Sequence, residues 1–100
     1  MNENIDTLLN DVKNYLDITW DDSDGDKKTK GMILRGISAI DGKAGVEFDY
    51  TQEGTPRSLL FNYVMYERSG MLNDFWINYK SDVIALQVAE EVRRYAESQQ

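Results

Sequence analysis

The sequence contains no cysteine and no histidine. Without cysteine the chain forms no disulfide, no thiolate metal site and no thiol nucleophile. Without histidine it lacks the commonest general base and metal ligand of proteins. The phosphate-binding pattern GxxxxGK(S/T) is absent as well. We therefore expect no enzymatic activity, no cofactor and no metal centre.

Long apolar runs and excess positive charge are also missing. No apolar run approaches the ~20 residues that a bilayer-spanning helix needs. The first residues, MNENIDTLLND, are acidic where a signal peptide is basic. We therefore expect a cytosolic protein that has no membrane partner. The 18 acidic and 11 basic residues give a net charge of −7, which disfavours non-specific binding to nucleic acid or to anionic lipid.

The single proline and the seven glycines separate four stretches with helical periodicity. The predicted helices cover about residues 5–17, 25–44, 56–69 and 73–96. Weak helix formers at residues 78–81 make a hitch in the last helix an alternative. The expected N-terminal caps are, in order, Asn2 or Asn4, Ser23 or Asp24, Thr55, and Asn73.

One hundred residues suffice for one domain. We predict a single helical domain over residues 1–100 with an all-α fold, a small bundle of about four helices. A long loop separates the second and third helices, and residues 1–4 and 97–100 are expected to fray. On the apolar face of the second helix, Gly36 predicts a close approach by the backbone of another element.

Residues 46–50 alternate apolar and polar side chains, which is the period of a β-strand. An isolated strand of this length is not stable alone, so we expect an extended loop segment that lies on the core. Pairing with a neighbouring chain is the alternative, and it makes Phe48 and Tyr50 candidate partner contacts.

The last predicted helix carries two apolar stripes. The first consists of Trp76, Tyr79, Val83 and Leu86. The second consists of Ile84, Val88, Val92 and Tyr95. A helix with two apolar faces needs two partners, and a chain this short has little material to cover both. Val88, Val92 and Tyr95 are therefore candidate contacts with another molecule.

The charges are unevenly distributed along the chain. Residues 1–26 carry eight acidic residues and one lysine, whereas residues 27–43 carry five basic residues and one aspartate. The two patches are either solvated or face each other within one subunit, or they attract neighbouring subunits head to tail and close a ring. The candidate contacts in these patches are Asp21, Asp22, Asp24, Lys27, Lys28, Lys30 and Arg35.

The aspartate-rich stretch fails the test for a calcium-binding loop. With Gly25 at the sixth loop position, Trp20 and Gly31 occupy the first and twelfth positions, where aspartate and glutamate are required. We therefore predict no metal site. A weak, non-specific cation site is the alternative, formed by Asp21, Asp22, Asp24 and Asp26.

The order and spacing of several short motifs resemble a known family. These motifs are DVKNYL at 11–16, ILRGI at 33–37, AGV at 44–46, Pro56, LLFNY at 59–63, YERS at 66–69 and NDFWINY at 73–79. Over about residues 8–92 the chain is similar to the small head–tail connector proteins of tailed phages and prophages, also called adaptor or DNA-packaging proteins.

The resemblance implies a non-catalytic structural subunit. Such proteins assemble as a homo-oligomeric ring on the portal protein after DNA packaging, and they link the head to a head-closure or tail protein. The resemblance makes residues 83–100 the portal-side candidate, and segments 20–26 and 46–54 the intersubunit or lumen candidates. DNA would pass through the ring without specific binding, and the protein would belong to the virion and, during assembly, to the host cytoplasm.

Two other classes of function stay open at this point. A small acidic regulator that binds a host protein or mimics DNA would need a continuous acidic face, which the basic residues at 27–35 interrupt. A metal-dependent hydrolase would need converging carboxylates, which nothing in the sequence brings together.

Overall fold

The computed structural model describes residues 5–20 and 22–99, and over these residues the chain forms α-helices and no β-strand. The five helices of this part of the chain are α1 (Ile5–Tyr15), α2 (Ser23–Ala44), α3 (Thr55–Arg68), α4 (Leu72–Asn78) and α5 (Lys80–Ser98). The all-α prediction is confirmed for these residues. The connection between α2 and α3 is long, as expected, and its segment 46–50 is not a strand.

The core lies between α2 and α3, with α1 packed against both and with α4 and α5 closing one end. Its apolar side chains come from every helix at helical spacing, so each helix turns one stripe inward. The fully buried side chains with the largest volumes are Phe75, Ile33, Ile40, Leu59, Leu60, Val12 and Val64.

Helix α1 ends at Tyr15, two residues before the predicted end. The reason is a helix-terminating turn, in which Asp17 has a positive φ of 60° and the Ile18 N–H donates to the Lys13 carbonyl at 2.8 Å. This left-handed turn satisfies the last free carbonyl groups of the helix. The predicted caps Asn2 and Asn4 lie outside the described residues.

The predicted caps of the next helices are wrong. Helix α2 begins at Ser23, and its cap is Asp22, whose carboxylate accepts a hydrogen bond from the Asp24 N–H at 3.3 Å. Helix α3 begins at Thr55 after Gly54, whose φ of 148° and ψ of −176° suit glycine alone. Met71, in place of the predicted Asn73, precedes α4.

The fourth predicted helix is two helices. Tyr79, with φ −108° and ψ 16°, separates α4 from α5, near the weak helix formers that indicated a hitch. Helix α5 then continues to Ser98, two residues beyond the predicted end of the last helix. The break allows α4 to direct Phe75 into the core while α5 follows the end of α2.

Gly36 allows α2 and α3 to pack closely. A Cβ at this position would lie 2.7 Å from Leu60 Cδ1 and 2.8 Å from Tyr63 Cδ1, closer than carbon atoms approach each other. A close approach is therefore present, but side chains of α3 make it, whereas the sequence predicted a backbone. Gly42, on the same helix, would have no atom within 4 Å of an added Cβ.

These two glycines provide a matched test of the packing. We expect Gly42→Ala to stabilise the chain by about 0.5–1 kcal/mol, because alanine is the better helix former and the new methyl group meets only solvent. We expect Gly36→Ala to lower the stability by about 1 kcal/mol or more, because overpacking outweighs the helix propensity. Urea unfolding followed by circular dichroism measures both changes. Equal stabilisation by the two substitutions would contradict the close packing of α2 and α3 at Gly36.

Candidate interaction surface

A cluster of aromatic rings fixes the start of α5. Phe75 has no exposed surface, and its ring packs against Tyr66, Trp76 and Tyr79 with centroid distances of 4.9 to 5.8 Å. The inward stripe of α5 continues this cluster, with Val83 buried and Leu86 packed against the core. The first of the two predicted apolar stripes therefore faces the core.

The second stripe faces away from the core. Its exposed fractions are 45% for Ile84, 51% for Val88, 62% for Val92 and 69% for Tyr95. We call these four residues the α5 outer face. Scattered single apolar residues at a surface need no explanation, but four of them along one side of one helix mark a surface that can bind another molecule.

The end of α2 holds α5 in place through polar contacts. Gln87 Nε2 donates to the Lys43 carbonyl at 2.8 Å, and Arg94 donates to the Gly45 carbonyl at 2.6 Å. These carbonyl groups belong to a helix end, where four are left without partners inside the helix. Long-range side-chain contacts of this kind leave no local pattern, and the sequence did not reveal them.

Glu90, which is buried, binds two arginines in the second half of α5. Arg93 donates to the carboxylate, and the Arg94 Nε donates to it at 3.1 Å. The pKa of Glu90 is lowered, above all by the hydrogen bond from Arg93. Because the folded-state pKa is lowered, this stabilisation is present at neutral pH and is lost as the pH falls through the lowered value.

The acidic and basic patches meet partly within the chain. The Lys30 ammonium lies 2.9 Å from an Asp6 carboxylate oxygen, and Arg35 binds Glu67 of α3. Lys27 and Lys28 remain exposed. The structure thus uses part of the basic patch to join α2 to α1 and α3, and it leaves the other part to solvent.

The aspartate-rich stretch shows no metal site among the described residues. Asp22 caps α2, Asp26 lies 3.0 Å from the Lys13 ammonium, and Asp24 is exposed in the first turn. Asp21 is outside the described residues. Two of the predicted acids are thus already engaged by the helix and by a lysine.

The long connection lies on the core, and it buries Tyr50. This ring is 3% exposed, and its hydroxyl donates to Asp41 Oδ1 at 2.6 Å. Burial is the main cause of a raised pKa for Tyr50, and the hydrogen bond to the Asp41 carboxylate raises this pKa further. The phenol therefore stays protonated. As a buried side chain Tyr50 is not available to a partner, whereas Phe48 is half-buried at the edge of the core.

Two grooves of the described surface lie beside tryptophan side chains. One groove of about 250 Å³ lies beside the exposed Trp20, between the start of α2 and Arg68 of α3. Another of about 350 Å³ lies beside Trp76 and Lys80, next to the α5 outer face. Both are open, and the ion pair between Lys13 and Asp26 lines the first of them. No helix within residues 5–20 and 22–99 is long and apolar enough to cross a membrane.

Comparisons of the chain with protein-family models, with curated proteins and with solved structures give no significant match.

The contact between Asp41 and Tyr50 yields a test of how the connection is held. We expect Asp41→Ala to destabilise the chain by about 1–3 kcal/mol, because it leaves a buried hydroxyl without an acceptor. Tyr50→Phe should cost less, since the partly exposed carboxylate regains water. In urea unfolding the double variant should lose less than the sum of the two single losses. Strictly additive losses would show that the two groups do not interact.

Proposed function

We propose that this chain is a non-catalytic structural subunit that binds other protein subunits through the α5 outer face. More specifically, we propose that the subunit is a head–tail connector of a tailed phage or prophage. The subunit would assemble as a ring on the portal protein after DNA packaging, and it would offer a platform to a head-closure or tail protein.

The observation that carries the proposal is the uncovered apolar side of α5. The body of the protomer covers one stripe of this helix and leaves Val88, Val92 and Tyr95 more than half exposed. Exposing such a stripe to water is unfavourable, and contact with a partner removes the cost. The link to connector proteins comes from the order of the sequence motifs described above. The outer face lies within residues 83–100, the segment for which the resemblance implies contact with the portal.

The remaining candidate contacts have places in the same proposal. Exposed charges near the start of α2, among them Asp24, Lys27 and Lys28, would attract a neighbouring subunit of the ring. Phe48 would contribute at the edge of the long connection. The net charge of −7 would let DNA pass without binding, because like charges repel. The site of action would be the virion, after assembly in the host cytoplasm.

The regulator that mimics DNA is the weaker candidate. It requires a continuous acidic surface, and the exposed Lys27 and Lys28 interrupt that surface. No observation favours it over a structural subunit.

Co-expression with the portal protein of the same phage or prophage tests the proposal. We expect a stable complex that contains many copies of the chain, visible as a ring on the portal by electron microscopy and measurable by native mass spectrometry. A folded chain that forms no complex with the portal would overturn the connector assignment.

A pair of variants tests the role of the α5 outer face. Val88→Asp combined with Val92→Asp should abolish the complex, because two buried carboxylates at an interface are costly. Both side chains point to solvent in the free protomer, so the unfolding free energy should change by about 0.5 kcal/mol or less. Leu34→Asp, at an exposed apolar position of α2, is the matched control and should retain the complex. If the α5 variant still binds the portal protein, another surface must bind it. The same conclusion follows if the Leu34→Asp control loses binding to the same extent.

A further inference from the structure

We propose that the α5 outer face binds a second copy of itself, so that the free protein is an antiparallel dimer through α5. The inference concerns the isolated chain and does not depend on the portal or on the connector assignment. It rests on the exposed apolar stripe together with the arrangement of the charges that border it.

The centre of the outer face carries no charge. Four further positions on the side of Ile84, Val88, Val92 and Tyr95 carry, at 3.6 residues per turn, small or neutral residues. They are Ser81, Ala85, Ala96 and Gln99, and all four are exposed. Glu91 lies at the edge of this side. Small side chains along an apolar stripe let two helices approach closely, as two packed helices must to exclude water.

Charged residues border this stripe on one side. Lys80 and Glu91 lie along this border, about three helical turns apart. Asp82 and Arg93 lie farther around the helix, toward its core-facing side, and do not border the stripe. The side chains of Lys80 and Glu91 are exposed. Among the described residues Lys80 and Glu91 form no ion pair within the protomer, whereas Arg93 binds Glu90 and Glu97.

A twofold rotation that reverses the helix brings each border against the same border of the second copy. Lys80 then lies at the height of Glu91 of the second copy. This pair occurs twice because of the symmetry. The helix thus complements itself in charge, and the antiparallel order also opposes the two helix dipoles.

The charges also select the register. Full overlap of the two apolar stripes would place Glu91 beside Glu91 of the second copy. A displacement by about two helical turns removes this repulsion and forms the opposite-charge pairs. In that register Ile84, Ala85 and Val88 of the two copies meet at the centre, and Tyr95 reaches the region where α5 of the second copy begins.

The size of the contact predicts a dissociable dimer. Helix α5 has 19 residues and is therefore about 28 Å long. Contact along a single helix of this length lies at the small end of specific interfaces. We therefore expect a dimer that separates on dilution, which leaves the same face available to another partner.

Sedimentation equilibrium of the full chain and its charge variants tests the dimer. The wild type should be a concentration-dependent dimer. Lys80→Glu and Glu91→Lys should each weaken dimerisation roughly tenfold or more, because each places two like-charge pairs at the interface. The dimer dissociation constant of the double variant should return to within about threefold of the wild-type value. An equimolar mixture of the two single variants should form a mixed dimer, since that pairing restores all the opposite charges.

The other outcomes are equally decisive. A wild-type chain that stays monomeric up to millimolar concentration overturns the dimer. A double variant as weak as either single variant overturns the antiparallel register, because in that register the exchange restores both opposite-charge pairs. Circular dichroism of each variant verifies that α5 remains folded. Failure of this test leaves the portal experiment unaffected, and a dimer can exist whether or not the chain binds a portal.

Discussion

The packing of Phe75 among the rings of α3, α4 and α5 determines most of what is distinctive in this molecule. The buried ring holds α4 against the core, and the break at Tyr79 then sends α5 along the end of α2. Once this direction is fixed, one apolar stripe of α5 lies inside and the other must lie outside. The exposed face is therefore a consequence of how the core is packed.

Polar contacts at the end of α2 reinforce the same arrangement. Gln87 and Arg94 supply hydrogen bonds to carbonyl groups that a helix end cannot satisfy by itself. They tie α5 to the end of α2. A helix held in this way is a rigid support for an interaction surface, because its position does not depend on a mobile loop.

The acidic character of the chain has two roles in the structure. Part of the charge is used locally, as in the cap formed by Asp22 and the pair formed by Asp26 and Lys13. The remainder stays at the surface, where a net negative charge opposes binding to other polyanions. Neither role gathers carboxylates into a metal-binding arrangement among the described residues.

Local periodicity by itself determined the all-α fold, the approximate positions of the helices and the two stripes of the last predicted helix, because a repeat of 3.6 residues is written directly in the order of side chains. The close approach at Gly36 also followed from a single residue on an apolar face. Tertiary structure alone decided which stripe of α5 is buried, where the helix breaks, that Asp22 caps α2, and that Asp41 holds Tyr50 inside. These outcomes depend on contacts between residues distant in sequence, whose free energies no local pattern records.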